Sequence, residues 1–183
     1  VTGRDAESGS GNPAYEMGAK PEKAPSPLHV ELSADSLLWD RFAEAEAVVR
    51  KALEAAAEHE QPLPEGAEVS VLLTDDARIR EMNRIWRNQD KPTNVLSFPA
   101  AAIDGLGRVP MLGDIAIAFE TVEREAEEEG KPFAHHLSHL AVHGFLHLFG
   151  HDHLDDEQGD RMEALERSIL ETLSIPDPYA DRA

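Results

Sequence analysis

The stretch HGFLHLFGHDH, residues 143–153, constrains what this chain can fold into more than any other. It holds four of the chain's nine histidines. Histidine is not a typical core residue, and four so close together would repel one another if protonated. On a helix of 3.6 residues per turn His143 and His147 stand at i and i+4, so their imidazoles share one face, one turn apart. Gly150 can take the left-handed conformation that ends a helix and turns the chain back. His153, three residues later, is then returned toward the same point. The pattern predicts a long helix whose C-terminal end presents three nitrogen ligands, His143, His147 and His153, with one coordination position left for water.

The chain has no cysteine, so a metal must be held by imidazole, carboxylate or backbone oxygen. Three neutral imidazoles suit zinc, one ion per chain. The spacing H-x-x-x-H-x-x-G-x-x-H is that of metzincin proteases, but those carry a glutamate general base directly after the first histidine. Gly144 stands there, which argues against a peptidase. His151 follows Gly150 directly and is expected to point away, at the surface or behind the ligands. His136 and His139 fall on the stripe of His143 and His147; they are candidate partners of the ligands, or simply packed or solvated. His135 receives no role. Asp152 and Asp155 are candidates to orient imidazoles through their second ring nitrogen, and Asp155 or Asp156 is equally a candidate cap for the final helix.

Residues 1–27 mix Gly, Ser, Pro and charge with almost nothing apolar and are expected to form a disordered extension. Nothing there has a basic region followed by an apolar core, and no apolar run approaches membrane-spanning length, so no membrane association and a cytoplasmic location are expected. Beyond this lies one domain over 28–179, with a short tail at 180–183. Strands are expected at 28–32, 68–74, 94–98 and 111–119. Helices are expected from about Ser36, with Asp35 or Ser36 as cap, to 60, and then over 75–87, 120–130, 131–150 and 155–173. This order predicts a single α+β domain in which a small mixed sheet of about four strands packs against about five helices.

Three segments together resemble the YbeY family of bacterial endoribonucleases that mature ribosomal RNA. They are HLAVHGFLHLFGHDH followed by MEALERSIL, MNRIWRNQDKPTNVLSFP (82–99) and LGDIAIA (112–118). Asn94 stands where the family's usual PTDVLSFP has Asp. The resemblance implies a metal-dependent endoribonuclease that prefers single strands. Its implied roles are processing of ribosomal RNA, notably the small-subunit 3′ end, and ribosome quality control. It carries the metal ligands onto His143, His147 and His153 and a functional arginine onto Arg87. Arg87 and His143 are thus the expected catalytic residues, with Arg87 binding the scissile phosphate through its planar fork. Asp114, Asp152 and His139 are candidates for a general base or for support of the ligands, and the base itself is left open.

The net charge of −19 disfavours non-specific binding to polyanions. RNA binding therefore needs a local cluster of cations, for which Arg84, Arg87, Lys91 and Arg108 are candidates. Recruitment by the small ribosomal subunit, an associated ribosomal protein or a GTPase is also expected. Trp86 is a candidate to stack on a base or to pack on the sheet. Two other readings are a zinc hydrolase of a different substrate class and a non-catalytic ribosome-associated protein with structural zinc. A fourth protein ligand such as His151 would favour the latter.

Overall fold

The computed structural model describes residues 28–101, 110–153 and 155–180. The expected N-terminal extension, Arg108 and residues 181–183 lie outside them. The described residues form one α+β domain. Its strands are β1 (His29–Ala34), β2 (Glu68–Thr74), β3 (Val95–Pro99) and β4 (Met111–Ala118), arranged in the order β1-β2-β4-β3. The first three neighbours run parallel, and β3 pairs antiparallel with β4 at the edge. Around this mixed sheet lie α1 (Ala45–His59), α2 (Asp76–Arg87), α3 (Phe119–Glu128), α4 (Phe133–Leu148) and α5 (Asp156–Thr172).

Alternation along the strands assigns each side chain to a face. Val69, Val71, Leu73, Ile115 and Ile117 join Val49 and Leu53 of α1 and Leu137 and Phe145 of α4 in the large core. Their neighbours Leu72, Leu96, Ala116 and Ala118 point the other way and pack with Ile79 and Met82 of α2. The sheet is thus a partition, with α1 and α4 on one side and α2 on the other.

Helix ends follow the expected chemistry. Asp75 caps α2 by accepting from Arg78 N–H at 2.9 Å, and Asp155 caps α5 by accepting from Gln158 N–H at 2.8 Å. Asp155 is therefore a cap, the second of its two expected roles. Gly150 follows α4 with φ +82°, as the histidine spacing requires. One expectation fails: the segment from Ser36 to residue 60 is not one helix. A 3-10 turn at Leu37–Arg41 precedes α1, which starts only at Ala45. Trp39 is the cause. It is buried edge-on against Phe119, and its Nε1–H donates to Thr74 O at 2.8 Å. Anchoring that ring turns the chain, and Leu37, read as part of an apolar stripe, is left 84% exposed.

Candidate metal centre

The C-terminal half of α4 brings His143 and His147 together, and the turn at Gly150 returns His153 to them. One nitrogen of each ring lies within 4.8 Å of the others. The Nε2 atoms of His143 and His147 are 3.1 Å apart. Four-coordinate zinc with Zn–N bonds of about 2.0–2.1 Å places its ligand nitrogens about 3.3 Å apart, so the pair already stands near the edge length of such a tetrahedron. Burial pushes the His147 pKa down to about 4, helped by the charges of His143 and His153, against smaller contributions from Asp152 and a His151 backbone hydrogen bond. His147 is consequently a neutral ring near pH 7, the form that ligates. The donor set fits a divalent ion.

Gly144 has a packing reason. A Cβ there would stand 3.0 Å from Ser97 Oγ, 3.1 Å from Ile115 Cγ2 and 3.2 Å from Val95 Cγ2. Ser97 Oγ donates to Gly144 O at 2.9 Å, pinning the helix to β3. The position of the metzincin glutamate thus faces the sheet, where no long side chain fits.

The other histidines sort cleanly. His151 turns away, its Nε2 2.8 Å from Glu60 Oε1 at the end of α1, and is not part of the cluster. Asp152 Oδ1 accepts from the His153 N–H at 2.8 Å and lies 3.7 Å from His153 Nδ1, so it flanks that ring. His139 Nε2 lies 3.1 Å from Glu166 Oε2 and 3.1 Å from the Tyr179 hydroxyl. His136 is buried with Nε2 2.9 Å from Glu125 Oε2. Asn94 donates to the same Glu125 oxygen at 2.9 Å, while its Oδ1 accepts from Val95 N–H at 2.7 Å. An aspartate at 94 would set a second carboxylate against Glu125, whereas the amide satisfies it. Burial would raise the Glu125 pKa, but the bonds from His136 and Asn94 outweigh it and hold the carboxyl below its usual range.

Sequence reading missed Glu166. It lies on the buried stripe of α5 with Met162, Ile169 and Leu170, and is itself 0% exposed. His143 Nδ1 stands 2.7 Å from its Oε1. Burial would raise this carboxyl, yet hydrogen bonds from His139 and His143, and their charge, hold it far below the usual range. A glutamate at 4- and 3-residue spacing among apolar helix residues was the available signal. Glu125, Glu129, Lys131, His143, Glu166 and Tyr179 are among the residues lining a pocket of about 370 Å³ beside the cluster.

Arg87 and Asp114 lie elsewhere. Ile115 faces α4, so its neighbour Asp114 points to the opposite side of the sheet. There Asp114, Arg87, Trp86, Phe98 and Ser70 line a groove of about 950 Å³ on the α2 face. Neither Asp114 nor Arg87 is among the residues lining the histidine pocket; both line the groove on the other face of the sheet. Among the described residues Arg87 is exposed and forms no ion pair, and Trp86 is 70% exposed while its ring meets Phe98 edge-on at 5.8 Å. The groove ends at Pro99–Ala101, beside Gly113, and a Cβ on Gly113 would meet Leu148 of α4 at 2.9 Å. Groove and histidines thus share one end of the sheet, on opposite faces.

The family model described as Endoribonuclease YbeY matches residues 36–174. The chain belongs to the YbeY family. The Endoribonuclease YbeY of Bradyrhizobium diazoefficiens is 61% identical over 148 residues, covering 79% of this chain and 81% of its own length. That of Rhodopseudomonas palustris strain CGA009 is 56% identical over 152 residues, covering 82% of this chain and 80% of its own. Among solved structures, TM1509 from Thermotoga maritima aligns over 82% of this chain and 94% of its own at 26% identity, with a TM-score of 0.43. YbeY family members are metal-dependent, and among the described residues His143, His147 and His153 form a group that could hold a metal. Among the described residues, no helix is long and apolar enough to cross a membrane.

Proposed function

We propose that this protein is a metal-dependent endoribonuclease that cuts single-stranded RNA in ribosomal RNA processing, with zinc held by His143, His147 and His153. The observation that carries this is the convergence of three imidazoles at one point, in a chain whose relatives are named endoribonucleases. His151 is engaged by Glu60, so it is not a fourth ligand of a closed structural site. A bound divalent ion supplies Lewis acidity toward a phosphoryl oxygen. The chain's own residues do the remainder. His143, His147 and His153 would hold the ion, and Asp152 flanks the His153 ring.

Arg87 binds RNA from the α2-face groove. Its fork, which has no ion pair among the described residues, can take a phosphate bidentately, and Trp86 offers a face on which a base stacks. Because the groove and the histidines meet at the Pro99–Ala101 rim, the strand runs along the groove and crosses that rim to the ion. Arg87 then grips a phosphate flanking the scissile one. Arg84 and Lys91 stand near it in sequence and extend the local positive charge. They offset the acidic balance of the chain only locally, so recruitment to the small ribosomal subunit, through a ribosomal protein or a GTPase, supplies the remaining affinity. Small-subunit 3′-end maturation and ribosome quality control in the cytoplasm are the corresponding roles.

The test is cleavage of end-labelled single-stranded and duplex RNA before and after chelation, with zinc restored. Cleavage confined to single strands, lost on chelation and regained with zinc, is the expected result. Equal cleavage after chelation would refute the assignment.

A further inference from the structure

We infer that Glu166 is a positioning residue for the metal centre, locking His143 in the tautomer that can ligate, and that Tyr179 of the C-terminal segment completes its support. The inference rests on His143, His147 and His153 being the ligands. A buried carboxylate stabilises a fold less than an apolar residue of similar volume, so a charge in the apolar stripe of α5 calls for a use. An ionised carboxylate only accepts hydrogen bonds. His143 Nδ1 must therefore carry the proton it shares with Glu166 Oε1 at 2.7 Å. That leaves His143 Nε2 with its lone pair bare, and Nε2 is the atom facing His147 at 3.1 Å.

The other carboxylate oxygen is fully engaged. Glu166 Oε2 takes His139 Nε2–H at 3.1 Å and the Tyr179 hydroxyl in a short hydrogen bond. With Oε2 so occupied, Oε1 stays turned to His143. Tyr179 is itself fastened: the Arg167 guanidinium lies 5.0 Å over its ring, and its N–H donates to Asp177 Oδ1 at 2.8 Å. Lys131 Nζ donates to the neighbouring Pro178 O at 2.7 Å. The segment after α5 is thus clasped by α5 and by the loop before α4, and it forms a wall of the histidine pocket. An outer partner of this kind typically alters metal affinity 10–100-fold.

The experiment measures Zn²⁺ affinity by competition with a chromophoric chelator, and the His143 tautomer by long-range ¹H–¹⁵N correlation, in the full-length protein. Wild type, Glu166→Gln, Tyr179→Phe and His147→Ala are compared. Expected are a roughly 10–100-fold loss of affinity in Glu166→Gln with loss of the pure Nδ1–H signature of His143, and a smaller loss in Tyr179→Phe. Folded Glu166→Gln with wild-type affinity and an unchanged His143 tautomer overturns the inference alone. Should Glu166→Gln not fold, Tyr179→Phe decides: weakened binding supports the inference, and unchanged affinity with unchanged His143 signals overturns it. Wild type that binds Zn²⁺ no better than His147→Ala overturns both the ligand assignment and the inference.

Discussion

On one face of the sheet α4 and α5 sink Glu166 beneath a row of histidines, both carboxylate oxygens engaged; on the other, α2 leaves Trp86 70% exposed beside an Arg87 that has no ion pair among the described residues. The first region is pre-organised: Glu166 is buried and held by hydrogen bonds, and Glu166 and His147 are both pushed down in pKa. The second is open and mostly apolar, with Arg87 unpaired among the described residues. Groups that hold an ion must be fixed before it arrives, whereas groups that grip a flexible strand serve best with their hydrogen-bonding capacity free. The difference divides the labour between chemistry and capture, and substitutions on the two faces should fail in different ways.

The largest effect is expected from His147→Ala. Losing one of three ligands should abolish stoichiometric metal and reduce cleavage by more than the roughly 10–100-fold typical of an outer partner, read by elemental analysis and RNA cleavage. Arg87→Ala should keep the metal and lower kcat/KM by about 10- to 100-fold, the equivalent of one charge-assisted hydrogen bond of about 1.5–3 kcal/mol. Its cleavage should also show a shallower salt dependence than wild type. If Arg87→Ala loses metal, the two faces are not separate.

Acid should act on the histidine face through His147. The His147 pKa is depressed to about 4 from 6.5, so between these values the unfolded chain binds more protons than the folded one. Stability of the metal-free protein should therefore rise with pH across that window and be lost as pH falls through it. Chemical denaturation at pH 4.5 and 7 measures this, and His147→Ala should flatten it. Gly144→Ala should destabilise by about 1 kcal/mol in the same assay. Overpacking against Ser97, Ile115 and Val95 costs about 1–3 kcal/mol, and the gain in helix propensity offsets about 1. The smallest change in stability is expected from Trp86→Ala: folding close to wild type, since the ring is mostly exposed, with single-stranded RNA binding weaker by about 1–3 kcal/mol.

What could be read from sequence was local. The three histidines and the glycine that reverses the chain fall within eleven residues, and helix periodicity alone converts their spacing into geometry. The mixed four-stranded sheet and its helices were legible for the same reason. For Glu166 the spacing with Met162, Ile169 and Leu170 signalled burial but not its role, because His139 and His143 lie on another helix and nothing local joins them to it. The sidedness of Asp114 was hidden by its surroundings. In MLGDIAIA the run Ile115–Ala118 is apolar at every position, so alternation does not show which face meets α4 and which meets α2. The break before α1 was masked likewise, since Leu37 and Leu38 fit the helical stripe although Trp39 alone is buried there.

The most direct test of the division between the faces is metal content measured alongside cleavage of one labelled single-stranded RNA, for wild type, His147→Ala and Arg87→Ala. One ion per chain with cleavage in wild type, neither in His147→Ala, and full metal with impaired cleavage in Arg87→Ala is the predicted result. Wild-type cleavage in a metal-free His147→Ala protein would contradict it.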